Sequence, residues 1–251
     1  MLRAAGCVFA EDEAQLLISA ARTPADLAAM VSRRTVGVPL EYILGWAEFC
    51  GLRIAVDPGV FVPRRRTELL VRQAVALTRP ETVVVDLCCG SGAVGAALVF
   101  AVPLVELYAA DIDPVAVRCA RRNLAAGGGR VFEGDLFEPL PATLRGRVDL
   151  LVVNAPYVPT EAIEMMPPEA RIYEARVALD GGGDGLDVQR RVAADSPSWL
   201  APGGHLLVET SERQAPHTAD IFARNGLIPR VASSDELDAI VVIGTKPALQ
   251  S

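Results

Sequence analysis

The chain has 251 residues, of which 51% are hydrophobic and 5% aromatic, and it carries a formal net charge of −7. That length holds one large α/β domain, with or without a small appendage, and buries a core without needing a metal or disulfide staple. The acidic total argues against a basic face that grips long stretches of nucleic acid; it favours a protein or small-molecule substrate and leaves nucleic acid at most an indirect partner.

The opening residues, from Met1 to Gln15, turn acidic before any long apolar run develops. Nowhere does the chain offer the roughly 18 uninterrupted apolar residues that span a membrane, so neither a leader nor a membrane partner is expected. Residues 11–35 place Ala, Leu, Ile and Met at helical spacing among charged residues, and Thr23-Pro24 divides them into two short helices. Between Pro39 and Pro63, Gly and Pro punctuate short apolar runs such as Ile54-Ala55-Val56, a pattern that predicts a β-hairpin.

From Thr82 onward strands and helices alternate. Thr82–Asp86 and Leu104–Ala110 read as buried strands, Pro114–Ala126 as a helix, and Val148–Asn154 and His205–Thr210 as further strands. Pro202-Gly203-Gly204 predicts a tight turn before the last of these, and Ile228–Ser233 with Ala239–Lys246 reads as a closing strand pair. Alternation of this kind predicts a doubly wound sheet. Trp199 sits on an apolar face and is assigned to the core.

The stretch Thr82 to Gly95 is a strand, a glycine-rich turn and a helix start, and its Gly90, Gly92 and Gly95 also satisfy the dinucleotide fingerprint. Asp86 decides between ligands. A carboxylate at the strand end would repel the pyrophosphate of a dinucleotide, but it attracts the sulfonium and ammonium of S-adenosylmethionine. In this reading Asp86, Cys88, Cys89, Gly90, Ser91 and Gly92 cradle that cofactor, the glycines letting it lie against bare backbone. Asp111, with Ile112 beside it, ends the second strand and accepts hydrogen bonds from the ribose hydroxyls. Asp135 ends the third and accepts from the adenine amino group, while Leu136 covers the ring. The five cysteines are odd in number and form no CxxC pair, and the two histidines have no zinc-ligand spacing. Free thiols in a reducing cytoplasm and no metal are expected.

After the fourth strand comes Asn154-Ala155-Pro156-Tyr157. Here the sequence resembles the protein-(glutamine-N5) methyltransferases of the HemK/PrmC type, which modify peptide-chain release factors and whose hallmark is Asn-Pro-Pro-Tyr. The resemblance extends over roughly Pro39 to Lys246, including Tyr42-Ile43-Leu44-Gly45, Phe61-Val62-Pro63-Arg64, Gly134-Asp135-Leu136-Phe137 and Asp184-Gly185-Leu186-Asp187. It implies a class I, Rossmann-like α/β fold: a seven-stranded doubly wound sheet with an antiparallel last strand, a small helical cap and a hairpin. The implied division is 1–38 for the helical segment, 39–63 for the hairpin linker and 64–251 for the methyltransferase domain. It also implies methyl transfer from S-adenosylmethionine to a glutamine side-chain amide of a protein, a release factor or another. In the family the Asn side-chain oxygen and the next backbone carbonyl, here Asn154 and Ala155, hold the two amide N–H groups. Asn154 also borders the cofactor, Pro156 keeps the loop extended, and Tyr157 packs on the flat amide.

The same tetrapeptide suits an exocyclic amine of a DNA or RNA base, which stays open as an alternative, as does a non-catalytic cofactor scaffold. Three departures from the family stand out. Ala155 replaces a Pro, which loosens the loop but keeps the carbonyl. Arg64-Arg65-Arg66 adds positive charge near the cofactor's methionine end. The segment ahead of the hairpin is about half the family's usual length. Since that domain helps seat the release factor, poor methylation of release factors and action on another glutamine-bearing protein are expected. The run Gly181-Gly182-Gly183-Asp184-Gly185 is expected to form a flexible loop over the acceptor site.

Overall fold

The computed structural model describes residues 1–248; the last three residues of the expected 64–251 domain lie outside them. Two helices, α1 (Ala10–Ala20) and α2 (Pro24–Thr35), open the chain, with Thr23 accepting the Asp26 N–H as an N-cap and Pro24 in the first turn. A short α3 (Leu40–Leu44) ends at Gly45, whose φ of 80° is a left-handed cap, and runs directly into strand β1 (Trp46–Phe49). β1 pairs antiparallel with β2 (Leu52–Ala55), so only residues 46–55 of the 39–63 stretch form the hairpin. Leu17 and Met30 give the N-terminal helices a small core of their own. The Arg34 guanidinium, almost buried, ties α2 to Glu13 of α1 and to Glu169 farther along the chain.

The main body follows as α4 (Glu68–Leu77), β3 (Val83–Leu87), α5 (Ala93–Ala101), β4 (Glu106–Asp111), α6 (Pro114–Leu124) and β5 (Arg130–Glu133). Then come β6 (Val148–Val153), α7 (Pro168–Tyr173), α8 (Asp187–Trp199), β7 (Leu200–Thr210), α9 (Ala215–Arg224), β8 (Ile228–Ser234) and β9 (Ala239–Thr245). The sheet order is β5-β4-β3-β6-β7-β9-β8, with β9 antiparallel to both neighbours and the pairs from β5 through β7 all parallel. Parallel central strands must be covered on both sides, which is why β3 and β6 read as almost unbroken apolar runs. Helices α4, α5 and α6 supply one layer, through residues such as Leu70, Leu98 and Leu124. Helices α8 and α9 supply the other, through Val192, Trp199 and Phe222, and Trp199 stacks on Phe137 with ring centroids 5.3 Å apart.

The structure corrects the expected turn at Pro202-Gly203-Gly204. These residues lie inside β7, where the pairing with β6 jumps from Val148↔Leu200 to Leu150↔His205. Gly203 takes a φ of 80°, and a Cβ on Gly204 would stand 2.8 Å from the Val148 carbonyl oxygen. The local turn chemistry is spent on an irregularity within a continuous strand rather than on ending one. Among the described residues no helix is long and apolar enough to cross a membrane, and all five cysteines are free.

Leu151 on β6 is fully buried under α8. Leu151→Ala is expected to cost about 2–5 kcal/mol, the transfer term plus a cavity that close-packed neighbours cannot fill. Urea denaturation checks this, and a loss below about 1 kcal/mol would show the site collapsing onto the gap.

Candidate active site

All parallel strands release the chain at one edge of the sheet, and the order reverses beside β3, so the loops after β3 and β6 diverge there. After β3 the chain turns sharply: Cys88 sits at φ 54°, Gly90 at 55° and Gly92 at 77°. Gly92 is the N-cap of α5, and the Gly92 N–H closes the turn on the Cys89 carbonyl at 2.7 Å. Two carboxylates anchor this turn. Asp111, at the end of β4, accepts from the Gly90 N–H at 2.8 Å through Oδ2 and from the Asp113 N–H at 2.9 Å through Oδ1. Asp86 is buried beneath the turn and accepts from the Gly95 N–H at 3.0 Å. Asn123 of α6 joins the turn to the hairpin, donating to the carbonyls of Ser91 (2.7 Å) and Ala55 (2.9 Å).

One cavity gathers nearly all the residues singled out in the sequence. Asp86, Cys88, Cys89, Gly90 and Ser91 line it from the turn. Asp111 and Ile112 line it from β4 and the loop that follows, Asp135 and Leu136 from the loop after β5, and Asn154, Ala155, Pro156 and Tyr157 from the exit of β6. Gly92 is the exception. It faces α6, where a Cβ would stand 3.1 Å from that of Ala120, so its glycine is required by turn conformation and helix packing. Gly90 is the opposite case, since a Cβ there would meet nothing within 4 Å. Asp135 is paired with Arg191 of α8 at 2.6 Å, a cation that also lines the cavity and that spacing alone did not reveal.

The tetrapeptide is held from behind. Asn154 Nδ2 donates to Thr67 Oγ1 at 3.3 Å, and Gln214 donates to the Tyr157 carbonyl at 3.0 Å. The glycine run that was expected to be a flexible flap packs directly against this backbone. A Cβ on Gly181 would lie 2.8 Å from the Pro156 carbonyl oxygen, and one on Gly185 only 2.3 Å from that of Tyr157. The Gly181 N–H bonds to Val158, Gly182 accepts from the Thr160 N–H, and Asp180 accepts from the Thr160 hydroxyl at 2.6 Å. These glycines are there for close approach, and the loop is a fixed support.

Of the three consecutive arginines, Arg64 and Arg66 line the cavity and Arg65 stays outside, 73% exposed. Arg64 pairs with the buried Glu174 at 2.6 Å. Arg66 lies 3.6 Å from Glu209 and 5.9 Å from the centre of the Tyr157 ring. The added charge is therefore partly matched by buried acids. The sequence marks Arg66 only as added charge and does not single out Thr67 or Glu209 as site residues. The available signal for Glu209 was an acid closing the apolar run Leu206-Leu207-Val208. Burial raises the carboxyls of Asp111 and Glu209 and pushes the Tyr157 hydroxyl up to about 12. Asp86 is pushed up to about 7 by burial, against the pull of the Gly95 N–H and with a further push from Asp111. Among the described residues no cluster of His, Cys, Asp or Glu is placed to hold a metal.

A doubly wound sheet of this order, with a glycine turn after its central strand and an acid ending the next, defines a class I methyltransferase. The methyltransferase small domain model matches residues 51–193. A methyltransferase structure from Pyrococcus furiosus shares the fold, with a TM-score of 0.60 at 15% identity over 88% of this chain and 99% of that one. The release factor glutamine methyltransferase of Geobacter sulfurreducens is 41% identical over 226 residues, 88% of this chain and 78% of the relative. The 4-amino-L-phenylalanine/4-methylamino-L-phenylalanine methyltransferase of Streptomyces pristinaespiralis is 37% identical over 78% of this chain and 69% of its own. The chain belongs to the release factor glutamine methyltransferase family.

The raised Asp86 carboxyl has a measurable consequence. Folded Asp86 keeps its proton up to about pH 7, whereas an unfolded aspartate loses it near 4. The stability that this proton contributes is complete below about pH 4 and is lost as pH rises through about 7, with a slope of at most about 1.4 kcal/mol per pH unit. Asp86→Asn stays neutral throughout. Relative to wild type it is expected to gain stability from about pH 4 to about pH 7 and to level off above that in urea denaturation, and a difference that stays flat from about pH 4 to about pH 7 would refute the assignment.

Proposed function

We propose that this chain transfers a methyl group from S-adenosylmethionine to the side-chain amide nitrogen of a glutamine presented by a protein. One observation carries the reading: the Asn154–Tyr157 segment and the acid-anchored glycine turn line a single cavity. A donor held by the turn and an acceptor held by the tetrapeptide therefore meet.

The cofactor's chemistry fits the donor side. Bound there, S-adenosylmethionine supplies an electrophilic methyl group on a cationic sulfur. Asp86, costly to ionise in its buried position, has reason to carry charge only beside a cation, which the sulfonium and ammonium provide. Asp111 has each oxygen fixed by one backbone N–H, and its remaining lone pairs suit the ribose hydroxyls. Asp135 and Leu136 are assigned to the adenine, with Arg191 holding the Asp135 carboxylate in place. The open side of Gly90 gives the ligand contact with bare backbone.

On the acceptor side the difficulty is electronic. An amide nitrogen shares its lone pair with the carbonyl and is a poor nucleophile. Two fixed acceptors, Asn154 Oδ1 and the Ala155 carbonyl, orient the nitrogen and stabilise the positive charge that builds as it attacks. Tyr157 stacks on the flat amide, and the packed glycines behind the loop keep those acceptors from drifting. Catalysis is thus positioning plus preorganised electrostatics. A free-thiol complement suits a reducing, cytoplasmic setting.

Asn154→Ala removes one acceptor and leaves an amide N–H unpaired. It is expected to lower the methylation rate by roughly 10²–10³ while changing cofactor affinity far less. Asn154→Asp is a weaker test, because a carboxylate still accepts. The assay offers radiolabelled S-adenosylmethionine with a full-length release factor, with cell lysate and with nucleic acid. Label confined to nucleic acid, or a fully active Asn154→Ala, would sink the reading. Label entering the release factor as fast as with a relative overturns only the expectation of poor acceptance.

On the donor side, Asp111→Ala is expected to weaken S-adenosylmethionine binding by about 1.5–3 kcal/mol, the range for hydrogen bonds to a charged acceptor. NADH should not bind specifically. Calorimetry with both ligands decides, and tight NADH binding contradicts the cofactor assignment.

A further inference from the structure

Glu209 closes the apolar run of β7 and is 2% exposed, yet it does not line the cavity. It stands behind the wall that Thr67, Asn154 and Tyr157 present to the cavity. Arg66 Nε is 3.6 Å from Oε1, beyond a hydrogen bond, and Oε2 has no hydrogen-bond partner. The hydroxyls of Thr67 and Tyr157 favour its ionised form without completing a hydrogen bond to it, while burial disfavours it. A desolvated carboxylate so poorly compensated is costly. Methyl transfer as described above makes no use of it.

Its use is directional. A side-chain amide has oxygen and nitrogen ends of nearly the same shape, and turning it over exchanges an acceptor for a donor. For Asn154 to accept an N–H from the acceptor amide, Oδ1 must face the cavity and Nδ2 the wall. On the wall side stands Thr67 Oγ1, 3.3 Å from Nδ2 and itself buried. A hydroxyl has one proton to give. If Thr67 gave it to Asn154, the amide would turn over and meet the substrate's N–H with its own NH₂. An ionised carboxylate accepts only. Beside Thr67 it draws the hydroxyl proton to itself, leaving Thr67 a lone pair for Asn154 Nδ2. We propose that Glu209 is a positioning residue that acts through the Thr67 hydroxyl to hold the Asn154 amide with its oxygen toward the acceptor. The same carboxylate draws the Tyr157 hydroxyl, so the two side chains that grip the substrate amide are aligned from one buried charge.

The inference rests on Asn154 being the acceptor contact, and the variants are chosen to separate the two ideas. Glu209→Gln keeps the shape, but its NH₂ can donate to Thr67, which then donates onward and reverses Asn154. Thr67→Val removes the hydroxyl at constant shape, and Thr67→Ser keeps it. Glu209→Gln and Thr67→Val are expected to lower kcat by about tenfold or more, with the dissociation constant for S-adenosylmethionine within about threefold of wild type. The melting temperature of Glu209→Gln should hold or rise, because a buried charge is gone. Thr67→Ser should recover most of the rate lost in Thr67→Val, a result that mere packing at this position does not produce. Should Glu209→Gln fail to fold, the Thr67 pair still decides. If Thr67→Val and Glu209→Gln turn over like wild type while Asn154→Ala is slow, the relay is overturned and the acceptor site stands. If Asn154→Ala is also fast, the acceptor site itself is misplaced and the relay falls with it.

Discussion

The hydrogen bond from the Gly90 N–H to the Asp111 carboxylate ties the end of β4 to the turn that follows β3. A tight turn with three residues at positive φ leaves backbone donors pointing away from any regular partner. Buried donors of that kind must be met. Asp111 meets one at the turn and another on its own strand end, and Asp86 meets the Gly95 N–H from below. The carboxylates that a cationic, hydroxyl-rich ligand would need are thereby the same groups that keep the turn in shape. Binding and local stability are not separable at this site.

The Asn154–Tyr157 side of the cavity follows a different principle. The chain leaving β6 has no regular partner, and its carbonyls would drift if left free. The structure backs it with glycines that allow backbone to lie on backbone, with a Gln214 amide bridging Tyr157 and Asp184, and with Thr67 against Asn154. Stiffness at this loop comes from neighbours far away in the chain. An Ala at position 155, where the family has a Pro, is consistent with that: a loop clamped from behind depends less on a ring that restricts φ.

The N-terminal helices and hairpin are attached by polar links at defined points. Arg34 bridges to Glu13 and Glu169, the Tyr42 hydroxyl donates to the Val60 carbonyl at 2.7 Å, and Asn123 holds Ala55 and Ser91 together. The last of these matters for the site, because it couples the hairpin to the turn that lines the cavity. A displacement of the hairpin is felt at Ser91 through one side chain.

The alternation of apolar strands and amphipathic helices, the acids ending successive strands and the Asn154–Tyr157 tetrapeptide were all legible in the order of residues. Each is a local or periodic signal: a buried parallel strand must be apolar along its length, and a strand-end acid sits at a set distance from its glycine turn. The small glycine clusters were legible as breaks but not in their purpose. Gly203 and Gly204 serve an irregular stretch inside β7, and Gly181 and Gly185 serve close packing, because a glycine's meaning lies in what a Cβ would strike. Likewise the Arg191–Asp135 pair, the Thr67–Asn154 bond and the approach of Arg66 to Glu209 join residues 56, 87 and 143 positions apart. Residue order determined the fold class, the glycine-rich turn after β3 and the Asn154–Tyr157 tetrapeptide. Only the tertiary structure decided which way that motif faces and what holds it there, because those contacts exist only once the sheet has brought distant strand ends to one edge.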